Sequence, residues 1–192
     1  MRYHPRVSEP VLDPAEARAQ FRCCPRCGAA LATPGACPLV CTACRFAYYF
    51  NPAVSAAGIL LRDDGRALFI RRGHEPGLGR LAFAGGFVDA GETPEAALRR
   101  EVREETGLDI AVGRFLEVFE RVEHDDDGAV RFHFVVLDYA ATVVGGTLRA
   151  GDDAADVALV DPADLDGYGL AESVRRVISA AMQSTPAGRA GR

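Results

Sequence analysis

The sequence predicts an α+β chain in which a small cysteine-rich module precedes the main domain. Three observations carry this. Apolar runs separated by turn signals mark strands from Ala53 onward. One stretch, from Thr93 to Gly107, has both a start and a stop signal for a helix. All six cysteines lie between Cys23 and Cys44, ahead of every one of these elements. With 192 residues, 48% of them apolar, the chain can bury one sizeable core and still carry an appendage. The expected divisions are an N-terminal arm (1–20), the cysteine-rich module (21–50), the main domain (51–183) and a disordered tail (184–192).

Taken in order, the arm offers one short helix, Pro14 to Gln20, and no chemistry. The segment AVSAAGILL, starting at Ala53, is a near-continuous apolar run, as expected for a strand buried on both faces. Asp63-Asp64-Gly65 is a turn signal, so RALFIRR is expected to be its hairpin partner. Arg71, Arg72 and Arg80 could each reach a phosphate. Solvated surface is the commoner role for such residues, and that is the expectation for them and for His74. Ile110 to Val122 reads as one or two strands, and 123–128 as a solvated hairpin tip. Val130, Phe132, Phe134 and Val136 alternate along a further strand. Leu170 to Met182 is an amphipathic helix.

In the module, Cys24-x2-Cys27 and Cys41-x2-Cys44 are separated by 13 residues. Each pair can turn two thiolates toward one point, and four thiolates close a tetrahedral Zn²⁺ site that leaves no position for water. Such a site is structural. Cys23 and Cys37 have x3 spacings to the neighbouring pair and read as bystander thiols. The CPRCG knuckle resembles that of a zinc ribbon. In the second knuckle Arg45 stands where glycine is common, which predicts a strained turn. The aromatic run Phe46, Tyr48, Tyr49 and Phe50 reads as packing within the module, with base stacking as the alternative.

The helix from Thr93 carries the chemistry. Thr93 is a hydroxyl cap, Pro94 the first helical residue and Gly107 the left-handed stop. At about 100° per residue, Glu101, Glu104 and Glu105 share one face. That face borders Leu98 and Val102, so it lies against the buried stripe. Like charges so spaced destabilise a helix by roughly 0.2–0.5 kcal/mol per pair, and a divalent cation would offset this. Mg²⁺ takes hard oxygen ligands, commonly one or two carboxylates plus substrate phosphates. The preceding Ala84-Gly85-Gly86 loop lets backbone approach such an ion.

The whole stretch, GFVDAGETPEAALRREVREETGL, resembles the Nudix box, G-x5-E-x7-R-E-U-x-E-E-x-G-U, where U is a bulky apolar residue. Gly86, Glu92, Arg100, Glu101, Val102, Glu104, Glu105, Gly107 and Leu108 occupy all nine specified positions. The resemblance implies a Nudix fold over about 50–180, a mixed sheet sandwiched between helices, preceded by a small zinc ribbon. It implies a Mg²⁺- or Mn²⁺-dependent hydrolase of a nucleoside diphosphate linked to another group, X. By transfer from the box, Glu101 and Glu105 are metal ligands and Glu104 is a third ligand or a water-orienting group. The Gly85 carbonyl is a further ligand, and Arg100 orients the carboxylates by pairing with Glu92. An acidic residue from outside the box often joins the cluster, and Asp153 and Asp156 are the positions for it. The family often has Glu there. The general base varies across the family and is not legible here.

A ribbon before a Nudix domain is shared with the NADH pyrophosphatases, but their Ser-Gln-Pro-Trp signature is absent and the chain has no Trp. The resemblance is closer to ribbon-bearing ADP-ribose pyrophosphatases. It points to ADP-ribose or a related ADP-linked compound, cleaved to AMP and a phosphorylated X. NAD(H) and 8-oxo-dGTP-type nucleotides are the alternative substrates. A non-catalytic nucleotide sensor, its ribbon contacting nucleic acid or protein, is the alternative outside enzymes; the intact carboxylate set speaks against it. The net charge of −5 argues against nonspecific nucleic-acid binding. All 22 basic residues are Arg, which reflects composition rather than function. The opening residues hold no apolar core of signal-peptide length, and no apolar run reaches membrane-span length. A cytoplasmic location is therefore expected, and relatives of this kind are often homodimers.

Overall fold

The computed structural model describes residues 21–75, 77–124, 130–151, 154–170 and 172–183. The arm with its expected 14–20 helix, most of the hairpin tip, Asp153 and the 184–192 tail lie outside the described residues. Two compact units emerge, the first drawn from positions 1–53 and 120–134, the second from 54–119 and 135–192.

In the first unit, two-residue strands β1 (Leu39–Val40) and β2 (Ala47–Tyr48) pair antiparallel. Cys24, Leu31, Leu39 and Cys41 form their core, with Phe46, Tyr48 and Phe50 against it. Tyr48 and Phe50 meet edge-on at 4.8 Å, and Phe50 meets Phe21 at 4.4 Å. A module this small cannot bury enough apolar surface to hold itself together, which is the usual reason for a structural metal.

The remaining strands are β3 (Ala53–Leu60), β4 (Ala67–Arg72), β5 (Leu81–Ala82), β6 (Ala84–Phe87), β7 (Leu108–His124), β8 (Val130–Gly146) and β9 (Ala154–Val160). They form two sheets, ordered β6-β3-β8-β7 and β5-β4-β9. Helix α1 spans Pro94–Thr106 and helix α2 spans Glu172–Met182. Pro162–Tyr168 is a short 3-10 helix capped by Asp161. Ile110 to Val122 thus lies within one long strand, β7.

The apolar runs face two ways because the strands have a helix layer on each side. In β4, Leu68 and Ile70 enter one core with Leu98 and Val102 of α1. Ala67 and Phe69 enter the other with Val177 and Ile178 of α2. Leu60 and Ile59 of β3 divide in the same way. Two sheets thus lie between the two helices, as the fold class requires.

One expectation is corrected. The turn forms as expected, with Gly65 at φ 83° and its N–H donating to Arg62 O at 2.9 Å. Yet β3 and β4 are not a continuous hairpin. They share only an isolated Leu61–Ala67 bridge and an Arg62 N to Arg66 O bond before entering different sheets. Each strand is buried on both sides and takes two other partners, β6 and β8 for β3, β5 and β9 for β4. Among the described residues, no helix is long and apolar enough to cross a membrane.

Candidate functional site

Helix α1 starts and stops where its signals are. Thr93 Oγ1 accepts from Ala96 N at 3.2 Å, and Gly107, at φ 69°, donates its N–H to Arg103 O. This fixes the rotation of the helix. Leu98 and Val102 are fully buried and Glu105 is only 5% exposed beside them. A buried carboxylate needs donors or a cation. Glu105 Oε2 accepts from Gly85 N at 2.8 Å.

The Gly-Gly loop is shaped by these contacts. Gly85 sits at φ 149°, a conformation L side chains rarely adopt, and a Cβ there would run into the β3 backbone at Ala56. A Cβ on Gly86 would overlap the carboxyl of Glu101. The two glycines therefore let strand β6 approach both α1 and β3.

Arg100 ties the acidic groups together. Its Nε donates to Glu92 Oε1 at 3.0 Å and its Nη2 to Glu92 Oε2 at 2.9 Å. Nη1 donates to Glu101 Oε1 at 2.7 Å, and Nη2 also reaches the Phe87 carbonyl at 3.0 Å. Paired by two N–H bonds from Arg100, the Glu92 carboxyl is held below the usual carboxylate range, and Arg100 is pushed further up. Both stay ionised throughout the physiological range, so this brace does not switch with pH.

Glu101 and Glu105 line a cleft of about 140 Å³ with Gly85, Gly86, Phe87, Ile70, Arg72 and His74. Glu104 does not line it. Its side chain is exposed and lies 3.4 Å from Arg100 Nη1. Asp156 is exposed on β9, with Oδ1 accepting from Val157 N, and it does not line the cleft either. Arg72 and His74, expected to be ordinary surface residues, are cleft-lining. The sequence signal was their place at the end of a buried strand just before the glycine loop. Arg71 instead donates to Gly79 O at 2.8 Å.

The cleft's donors are hard oxygens on a buried acidic wall, with backbone brought close by glycine. That set fits a Mg²⁺- or Mn²⁺-class ion. The second constellation is in the ribbon. The Sγ atoms of Cys24, Cys27, Cys41 and Cys44 all lie within 4.8 Å of one another. Cys24–Cys44 is 3.8 Å and Cys27–Cys41 is 3.7 Å. Ligands about 2.3 Å from a tetrahedral Zn²⁺ stand about 3.8 Å apart, so the spacing fits that ion. Backbone N–H of Cys44 draws the Cys41 thiol down, while the neighbouring sulfurs and burial push Cys27 up, so the fit to an ion rests on the spacing of the four sulfurs. The two knuckles match: Gly28 N donates to Cys24 O and Arg45 N to Cys41 O, both at 2.9 Å. Arg45 adopts φ 60°, the left-handed turn that glycine takes at Gly28. Cys23 and Cys37 are exposed and outside the cluster.

Two sheets flanked by helices, with a glycine loop feeding an acidic helix, define a Nudix-type domain. Residues 51–181 match the family model described as NUDIX domain, and the chain belongs to that family. It is 38% identical over 117 residues to an ADP-ribose pyrophosphatase of Methanocaldococcus jannaschii, covering 61% of this chain and 66% of that one. It is 28% identical over 126 residues to the nucleoside triphosphatase NudI of Escherichia coli, covering 62% of this chain and 89% of that one. The chain thus spans just under two thirds of the archaeal relative's length. A crystal structure of a NUDIX hydrolase from Nitrosomonas europaea superposes with a TM-score of 0.62, at 18% identity, over 88% of this chain and 94% of that one. At that identity the likeness shows the fold alone.

Proposed function

We propose that the chain is a divalent-cation-dependent pyrophosphohydrolase that cleaves a nucleoside diphosphate linked to X. ADP-ribose, or a related ADP-linked compound, is the lead substrate, with AMP and a phosphorylated X as products. The observation that carries this is the pair Glu101 and Glu105, one braced by Arg100 and the other buried against Gly85 N, on a single cleft. The 38% identical relative named ADP-ribose pyrophosphatase supports the substrate class.

Glu101 and Glu105 would hold Mg²⁺ or Mn²⁺, with the Gly85 carbonyl as a further ligand. Such an ion supplies charge neutralisation on the pyrophosphate and a lowered pKa for bound water. The chain's own contribution is positioning. Arg100 holds Glu101 and reads the Phe87 carbonyl, so helix and loop keep one spacing. Glu104, turned toward solvent and 3.4 Å from Arg100, is the water-orienting group in this reading rather than a ligand. Asp156, which does not line the cleft, would be the outside acid only through substrate or solvent. In the ribbon, the four cysteines hold Zn²⁺ in a structural role.

The test is a Mg²⁺-dependent screen over ADP-ribose, NADH, NAD⁺, diadenosine polyphosphates and 8-oxo-dGTP, with products identified. AMP plus ribose 5-phosphate from ADP-ribose, well ahead of the rest, is the expected result. AMP plus NMNH from NADH would replace the lead substrate. No turnover by folded, zinc-loaded protein would overturn the reading in favour of a sensor.

A further inference from the structure

The last turn of α1 carries two of its three clustered carboxylates, Glu104 and Glu105. Helix ends fray, because their final carbonyls have no partner within the helix. In this chain the end is strapped. Strand β8 stops at Gly146, and the backbone after it runs along the helix end. Thr147 N–H donates to Gly107 O at 3.2 Å, Arg149 N–H to Thr106 O at 2.9 Å and Gly151 N–H to Glu105 O at 3.1 Å.

The strap continues past the helix. Ala154 N–H donates to Gly151 O at 3.0 Å. Ala154 opens β9, and it is the residue paired with Arg72 at the end of β4. Ile70 and Arg72 of β4 line the same cleft as Glu101 and Glu105. Three backbone links therefore run from Glu105, through Gly151 and Ala154, to the β4 side of the cleft.

The approach is closest at Gly151. A Cβ there would stand 2.7 Å from the Glu104 carbonyl oxygen, which is backbone and cannot swing aside as the end of a side chain can. Helix α1 is fixed by the burial of Leu98 and Val102 and by the Arg100 brace. An added methyl group therefore displaces the strap, and with it the start of β9.

We propose that Gly151 is a positioning residue that sets the separation between the α1 carboxylates and the β4 side of the cleft. It touches neither cation nor substrate. A cation held by α1 and the glycine loop before it does not sense that separation; a substrate reaching across the cleft does. The inference rests on the pyrophosphohydrolase reading above.

The experiment uses the full-length, zinc-loaded chain and two variants. One is Gly151→Ala. The other has one glycine inserted between Gly151 and Ala154, which keeps the Gly151 N–H and lengthens the strap. Calorimetry measures Mn²⁺ affinity, and then the affinity for α,β-methylene-ADP with Mn²⁺ present; the carbon bridge of that probe is not hydrolysed. Turnover of ADP-ribose is measured alongside. Both variants should keep Mn²⁺ affinity within about twofold and bind the probe about fivefold more weakly. Their kcat should fall by about tenfold to a hundredfold, the scale of a misplacement of about 1 Å. Wild-type probe affinity and kcat in both variants would overturn the inference. So would a loss of Mn²⁺ affinity as large as the loss of kcat, which would make the strap a general support of the helix. Should Gly151→Ala fail to fold, the insertion variant decides by the same measures. Wild-type protein that turns over nothing, yet loses probe affinity when the strap is changed, would sink the enzyme and leave the strap standing. Turnover that is indifferent to both changes would sink the strap alone. Wild-type protein that neither turns over substrate nor binds the probe would overturn both.

Discussion

Asp138 offers a sharp test of how the sheet was built. It lies on β8 in the interior and is only 6% exposed. Burial pushes its carboxyl up to about 7, and repulsion from Glu117 adds to this. Glu117 is itself held by Arg176 of α2, at 2.9 and 3.0 Å. A carboxyl raised in the folded state binds its proton there while the unfolded chain, titrating near pH 4, has released it. Stability from the protonated group is therefore complete below about pH 4 and is lost as pH rises through about 7. The shift of about three units corresponds to about 4 kcal/mol, of which about 2.7 kcal/mol falls between pH 5 and pH 8.5. Asp138→Asn has nearly the same shape and cannot ionise. Urea unfolding of both proteins at pH steps from 5 to 8.5, with zinc present, gives the difference in stability at each pH. Other carboxylates cancel in that difference. The Asp138→Asn variant should gain on wild type by about 2–3 kcal/mol across the range, with most of the gain between pH 5 and pH 7. A difference flat with pH, or one favouring wild type as pH rises, would refute the placement of Asp138 as a buried, uncompensated acid.

Other expectations concern the site and the ribbon. Glu105→Gln keeps an oxygen to accept from Gly85 N, so the fold should hold. Mn²⁺ binding should fall and kcat should drop by on the order of a hundredfold, the scale for removing one group that stabilises developing charge; unchanged Mn²⁺ affinity by calorimetry would count against it as a ligand. Gly86→Ala puts a Cβ into the Glu101 carboxyl. It should abolish most turnover while circular dichroism stays native, and normal activity would show that the loop has room to retreat. Arg45→Gly removes a left-handed non-glycine residue from the second knuckle. Relief of roughly 1 kcal/mol, less some entropy of the freer unfolded chain, should slow zinc loss to a chelator; faster loss would mean the Arg45 side chain contributes more than its backbone strain removes.

What was legible in the sequence was what local chemistry decides. A cap hydroxyl, a proline at the first turn and a left-handed glycine set the ends of α1 without help from the rest of the chain. Those ends fix which residues share its acidic face. Two CxxC pairs determine a four-thiolate cluster because each knuckle is a short turn with its own N–H bonds. Even the left-handed Arg45 was readable, as a missing glycine in a repeated turn. What only the tertiary structure decided rests on partners distant in the chain. Strands β3 and β4 look like a hairpin, but both have two apolar faces and satisfy them in different sheets. Three carboxylates on α1 look alike by helical angle; packing against β6 buries Glu105, Arg100 holds Glu101, and Glu104 is left toward solvent. Asp138 carries no local mark of its setting, and Arg72 carries only its place at the end of a buried strand. Arg72 lines the cleft two residues beyond Ile70, on the same face of β4; Asp138 is buried on β8 with Glu117 of β7 near enough to repel it. Burial and register are properties of the assembled layers, and no short stretch of the chain contains them.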